Sequence, residues 1–331
     1  MIGDYPNARA WSNTLRGCAY GDAWGHTNEF KTYGRLTVDS KYGPNLPERL
    51  IITDDTQMTL YLARALRNAN HDTPEMLRGF VLDEWSNWYA DPLNNRAPGS
   101  TCLSAIGKIR NGAAWQDATV LRSDGCGTVM RTAPTAFLNE DLWIPMTAWT
   151  AATTHGNPTG IAAALVTAAI IRRSVEGLTG PGGLLEDAIW LTGEEFLLEE
   201  GGDWLYPLFS DARNKLLDGM HATWQALQNA FDGLDTMRAK PWDTDPCEFG
   251  GQGWRSHECL ATALLSIDCQ PDDEIMALRR ATVTNGDSDS IAAVAGAILG
   301  ASGANWPTEW FDRLEPTYRE WIELADNYEL Q

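Results

Sequence analysis

A chain of 331 residues with 44% hydrophobic content can bury a sizeable core, in one large domain or two ordinary ones. Its 45 acidic and 25 basic side chains leave a formal charge of −20. A field of that sign repels duplex nucleic acid and anionic membrane surfaces and gathers cations. The longest apolar segment, Ile161 to Ile171, is too short to span a bilayer. The start, Met1-Ile2-Gly3-Asp4-Tyr5-Pro6-Asn7, lacks the basic and apolar stretches of a secretory signal. The six cysteines, at 18, 102, 126, 247, 259 and 269, include no Cys-x-x-Cys pair, which argues against a zinc site. Reduced thiols and a cytoplasmic location are expected.

In chain order the signals are helical. Ser12 is placed to cap a first helix leading into Gly17-Cys18-Ala19-Tyr20-Gly21-Asp22-Ala23. After Asp55, apolar residues at Met58, Tyr61, Leu62, Ala65, Leu66 and Ala69 follow the spacing of an amphipathic helix. Thr73-Pro74-Glu75 combines a cap, a proline at the first helical position and an acidic first turn. Its helix carries Leu77, Phe80, Val81, Trp85 and Trp88 on one face, and another helix starts near Ser100 after a loop. The run from Pro158 to Val175 is apolar nearly all round and belongs at the centre, with Gly177 placed to stop it. Helices are also expected over Leu184 to Glu199, Ala212 to Phe231, His257 to Ile267 and Ile291 to Ala301. In the last, Gly296 and Gly300 permit close approach of a neighbouring backbone. Leu50-Ile51-Ile52 and Thr119-Val120-Leu121 are too short to build a sheet. One all-α domain over residues 1–331 is the simplest account. The 15 tryptophans are mostly core by default, leaving a few to stack on a flat ligand.

Two acidic clusters carry most of the chemical information. Thr53-Asp54-Asp55-Thr56 and Asp287-Ser288-Asp289-Ser290 each combine two carboxylates with hydroxyls ahead of an apolar helical run. Either alone could be a helix cap, since Asp, Ser and Thr all cap well, but one such residue per helix suffices. Brought together, four carboxylates repel one another, and hard divalent cations relieve that repulsion through oxygen ligands. Two such ions about 3.5–4 Å apart can orient a sugar or phosphate oxygen for hydrolysis.

Other elements are weaker on their own. Glu29, two helical turns past Asp22, reads on its own as a solvated surface acid. Ser123-Asp124-Gly125-Cys126-Gly127 contains a Gly-x-Gly turn whose backbone N–H groups can hold phosphate or ribose oxygens. Arg131 can bind an anion or pair with a carboxylate. His155, at the entrance of the most buried helix, also fits a structural role. Trp254, in Gly253-Trp254, can lie over a flat ring or pack in the core.

Taken in order, these elements resemble the ADP-ribosylglycohydrolase family. The matches are Gly21-Asp22-Ala23-x-Gly25 with Glu29, Thr53-Asp54-Asp55-Thr56, Arg96-x-Pro98-Gly99, Gly125-x-Gly127 with Met130-Arg131, Thr154-His155 with Pro158, Gly253-Trp254 with Glu258, and Gly286-Asp287-Ser288-Asp289. The resemblance implies an all-α orthogonal bundle with a central cleft and two Mg²⁺ or Mn²⁺ ions. It implies that Thr53, Asp54, Asp55, Asp287, Asp289 and Ser290 are metal ligands, and that Glu29 is a mobile glutamate able to touch a metal or the scissile ribose; Glu29, Asp54 and Asp55 are the expected catalytic carboxylates, able to take the proton of an attacking water. It further implies that Ser123, Asp124, Gly125, Cys126, Gly127 and His155 contact the substrate. The family often has Asn where Cys126 stands and Thr where Ser290 stands; the serine keeps the hydroxyl. The implied reaction removes ADP-ribose from a protein or small-molecule acceptor by cleavage at the anomeric carbon. The alternatives are a metal-dependent nucleotide phosphoesterase and a non-catalytic ADP-ribose-binding or structural protein on the same scaffold. The acceptor and the oligomeric state are not legible.

Overall fold

Side-chain caps and prolines set several of the helix starts. Thr73 accepts a hydrogen bond from Met76 N at 3.2 Å, and Pro74 opens the helix Pro74–Ala90. Asn157 accepts from Thr159 N at 3.0 Å ahead of Pro158–Val175. Each such cap stabilises its helix by roughly 1 kcal/mol. Gly177, at φ +69°, takes the left-handed turn that ends Pro158–Val175, where Leu178 N bonds back to Arg173 O at 2.9 Å.

The structure, a computed structural model, describes residues 8–68 and 73–326. Ala69 and the segment from Met1 to Asn7 lie outside the described residues. The described chain is all-α, with no strand among the described residues. Both short apolar runs contribute only isolated bridges, Leu50 with Leu314 and Val120 with His155. One hydrophobic cluster extends from Ala10 to Ile322. Trp85, Trp88 and Trp149 are fully buried in it, as is most of Pro158–Val175. No helix among the described residues is long and apolar enough to cross a membrane.

Some elements differ from the sequence reading. The first helix spans Ala8–His26, so Ser12 lies inside it as a buried side chain and not at a cap. The stretch read as one helix from Leu184 is two, Leu184–Leu191 and Glu195–Gly202, broken around Gly193. The helix from Ala212 runs on to Ala239. Phe80 is partly exposed and does not share the buried face of Leu77, Val81, Trp85 and Trp88. Glu140–Ala152 carries Pro145 inside it, a residue that ordinarily ends a helical pattern.

The closest helix pair positions the site. Ala8–His26 runs antiparallel to Ser288–Ala301, with Gly17, Gly21 and Gly25 opposite Gly296, Ala292 and Ser288. A Cβ at Gly21 would stand 1.9 Å from Ala292 O, so only glycine permits this approach. The crossing sets the C-terminal end of the first helix beside the second acidic cluster. Sequence separation of more than 260 residues is thereby closed by backbone contact.

Candidate metal and active site

Asp22 organises the first acidic cluster from below. It is fully buried and takes hydrogen bonds from four donors. Thr53 N reaches its carboxylate at 2.9 Å, Thr53 Oγ1 at 2.9 Å, Thr56 N at 3.1 Å and Thr56 Oγ1 at 2.5 Å. Burial pushes the Asp22 carboxyl up, and the Thr56 and Thr53 donors oppose that shift. Asp22 therefore serves the N-terminus of Asp54–Asn68, and the Asp54 and Asp55 side chains are free to face the cavity. The second cluster behaves alike: Asp287 precedes Ser288–Ala301 but makes no side-chain cap bond. The helix-cap reading of the two clusters does not account for these aspartates.

Both clusters open onto one cavity of about 300 Å³. Thr53, Asp54, Asp55, Asp287, Asp289 and Ser290 all line it, together with Glu29, Gly125, Cys126, Gly127 and His155. Ser123 and Asp124 do not. Ser123 Oγ stands 3.0 Å from Thr101 Oγ1, and Asp124 Oδ2 lies 3.7 Å from Arg255 Nε. His26 and the residues Gly99, Ser100 and Thr101 complete much of the wall. His26 was missed because a lone histidine near a helix end has no pattern of its own.

The carboxylates are under electrostatic pressure. Burial pushes Asp54 up to about 7, opposed by a hydrogen bond from Gly99 N at 3.1 Å and reinforced by Asp22. Burial, then the charges of Asp54, Asp22 and Asp287, raise Asp55. Asp289 is raised by burial, then by Asp55 and Asp287. Asp287 is raised by burial, although Cys126 Sγ donates to its Oδ2 at 3.0 Å. Asp55 Oδ2 is buried and has no hydrogen-bond partner among the described residues. A bare carboxylate oxygen facing three further buried carboxylates is a poor protein interior and a good cation ligand. The donor set, carboxylates with the Thr53 and Ser290 hydroxyls, fits hard divalent ions.

His155 sits behind the Gly-x-Gly turn. Arg131, fully buried, pairs with no carboxylate among the described residues; it lies over the Trp85 ring at 4.6 Å and donates to Thr150 O at 3.0 Å and Thr154 Oγ1 at 2.6 Å. The Thr154 hydroxyl, already accepting from Arg131, stands 2.7 Å from His155 Nδ1, and we assign it as the donor there. That assignment leaves the imidazole proton on Nε2, on the side of the glycines. A Cβ at Gly127 would come within 2.7 Å of the ring, so the turn needs glycine there. Burial, then the Arg131 charge, lowers the His155 pKa well below its usual range and keeps it neutral. The result is an N–H donor suited to a phosphate or ribose oxygen.

At the rim, Trp254 stacks on Phe30 with ring centroids 5.8 Å apart and planes at 20°. Both rings are exposed, Phe30 by 79%, and Phe30 adopts a left-handed φ of 60°. Arg96 pairs with Glu315 through two contacts of 2.5 and 2.6 Å and donates to Ile52 O, tying the C-terminal segment to the strand of chain that enters the first cluster.

Comparison with known proteins identifies relatives of the whole chain. An uncharacterized protein of Archaeoglobus fulgidus is 27% identical over 94% of this chain and 92% of its own length. The uncharacterized protein YegU of Escherichia coli is 26% identical over 87% of this chain and 85% of its own. A solved structure described as an ADP-ribosylglycohydrolase-related protein complex superposes with a TM-score of 0.66 at 22% identity, covering 96% of each chain, a likeness of fold. A family model described as ADP-ribosylglycohydrolase matches residues 10–331. The chain belongs to the ADP-ribosylglycohydrolase family.

Proposed function

We propose that residues 1–331 act as one domain that hydrolyses the bond between an acceptor and the anomeric carbon of the terminal ribose of ADP-ribose. The observation that carries this reading is the convergence of Asp54, Asp55, Asp287 and Asp289 with Glu29 on one cavity. Membership of the family supports glycohydrolase chemistry. Two divalent cations, Mg²⁺ or Mn²⁺, would be held by Thr53, Asp54, Asp55, Asp287, Asp289 and Ser290, and would supply positive charge that fixes the ribose hydroxyls.

The chain's own residues divide the remaining work. Cleavage at an anomeric carbon passes through an oxocarbenium-like state, and the ring of carboxylates stabilises that positive charge. Glu29, at the end of the first helix's exit turn, orients the attacking water and accepts its proton, with Asp54 and Asp55 as further acceptors. His155 Nε2–H and the Gly125-Cys126-Gly127 turn hold ribose and pyrophosphate oxygens, with Ser123 and Asp124 just outside the cavity supporting that turn. The acceptor is an ADP-ribosylated protein or small molecule; the charge of −20 disfavours a nucleic-acid duplex.

The test is a panel of ADP-ribosylated acceptors, incubated with and without Mg²⁺ or Mn²⁺, with products identified by mass. Free ADP-ribose released only with cation supports the reading. Release of AMP or phosphate instead identifies a phosphoesterase. Tight ADP-ribose binding with no turnover on any acceptor identifies a binding protein.

A further inference from the structure

The oxygen-rich site has a nitrogen donor at its edge. His26 is the last residue of Ala8–His26, and the chain turns back at once, with Asn28 N and Glu29 N both bonding to Gly25 O at 2.8 and 3.0 Å. Asn28 is fully buried and donates through Nδ2 to Thr282 O at 2.8 Å, which pins the turn. Glu29 is thereby folded beside His26. The Gly25–Ser288 backbone contact brings Asp289 to the same place.

We propose that His26, Glu29 and Asp289 together bind a divalent transition-metal ion at the mouth of the cavity, with His26 Nδ1 as a nitrogen ligand. The proposal rests on the cation-dependent reading above and specifies the ligands and metal class of one position. His26 Nδ1 lies 3.7 Å from Glu29 Oε2 and 3.9 Å from Asp289 Oδ2, and the three ligand atoms are all within 4.8 Å of one another. A point equidistant from three atoms so spaced is about 2.2–2.5 Å from each, against about 2.0–2.2 Å for metal–nitrogen and metal–carboxylate bonds in zinc sites. Side-chain shifts of a few tenths of an ångström close that difference.

Two further observations favour a metal over an ion pair. Both His26 contacts exceed ordinary hydrogen-bond length and His26 Nδ1 is shielded from solvent; the Glu29 carboxylate beside it raises the His26 pKa, so a metal there takes the place of a proton. Asp55, more than nine-tenths buried, lines the same cavity, and its Oδ2 has no hydrogen-bond partner among the described residues. An imidazole in the shell selects first-row transition ions over Mg²⁺, which takes oxygen ligands.

The test uses untagged full-length protein loaded with Mn²⁺. Loss of the free-ion six-line electron paramagnetic resonance signal measures binding, and electron spin echo modulation detects nitrogen bound to the ion. Wild type should show directly coordinated nitrogen, lost in His26→Ala and retained in His155→Ala. Mn²⁺ affinity should fall by about tenfold or more in His26→Ala, with a smaller change for Mg²⁺. His26 is partly exposed at a helix end, and a far-ultraviolet spectrum checks that the variant folds. Mn²⁺ bound without nitrogen coupling, or coupling that survives His26→Ala, overturns the assignment of His26 and leaves the hydrolase reading standing. Failure of wild type to bind Mn²⁺ at all overturns both.

Discussion

Replacing Gly21 by Ala should weaken both the fold and the site, through one steric event. The added Cβ would lie 1.9 Å from Ala292 O and 2.4 Å from Ala292 C, which are backbone atoms and cannot swing aside. Relief requires the two helices to move apart by roughly 1 Å, since a carbon–oxygen contact settles at about 3.3–3.6 Å and part of the change is taken by tilt. Overpacking of this kind costs about 1–3 kcal/mol, and the better helix propensity of Ala returns about 1 kcal/mol at most. The melting temperature should fall by up to about 3 °C, at about 1.4 °C per kcal/mol for a chain of 331 residues. The same displacement moves Asp289 relative to Asp55, so cation affinity should fall with stability. Gly79→Ala is the matched control: Gly79 lies inside Pro74–Ala90 with nothing within 4 Å of a built Cβ, and the substitution should stabilise by about 0.5–1 kcal/mol. Thermal melts of both variants with and without Mn²⁺ provide the assay. A Gly21→Ala protein with unchanged melting temperature and cation response refutes the claim that this crossing holds the clusters together.

Further outcomes concern single groups. His155→Ala should weaken ADP-ribose binding, read by calorimetry, and leave cation affinity nearly intact; the reverse pattern contradicts the roles assigned. Cys126→Ser should keep most turnover, because burial, then the Asp287 charge, raises its thiol well above the ordinary range and denies it a thiolate. Abolished chemistry with ligand and cation binding preserved would make Cys126 catalytic. Asp54, Asp55, Asp287 and Asp289 all have folded pKa values above the unfolded 3.8, so the cation-free fold binds extra protons there, and these groups lose stability as pH rises toward about 7, the Asp54 value. Cations replace those protons, so the Mn²⁺-induced rise in melting temperature should grow from pH 5 to pH 8. A rise independent of pH would show that cations bind elsewhere.

The legible parts of the sequence were those governed by local rules. Thr73-Pro74-Glu75 is a cap whose chemistry acts within four residues and opens its helix as read, and the apolar run from Pro158 to Val175 is the helix read there. The acidic clusters stood out because each holds more oxygen ligands than a helix start requires. Roles set by partners far along the chain were not readable. Asp22 appeared in a small-residue motif, but nothing local says that its carboxylate serves Thr53 and Thr56. Arg131 suggested an anion site or an ion pair, whereas burial against Trp85 makes it a positioning group for Thr154 and His155. The break at Gly193 and the continuation past Phe231 are decided by packing against the core, which outweighs local propensity. His26 gains meaning only when the Gly25–Ser288 contact brings Asp289 beside it.

The most direct measurement is hydrolysis of an ADP-ribosylated acceptor in ¹⁸O-labelled water with Mg²⁺ or Mn²⁺, followed by mass spectrometry of the released nucleotide. The account predicts free ADP-ribose carrying one ¹⁸O at the anomeric carbon, with release and cation-dependent thermal stabilisation both lost in Asp289→Ala. Label in a phosphate group, or Asp289→Ala turning over like wild type, would contradict it.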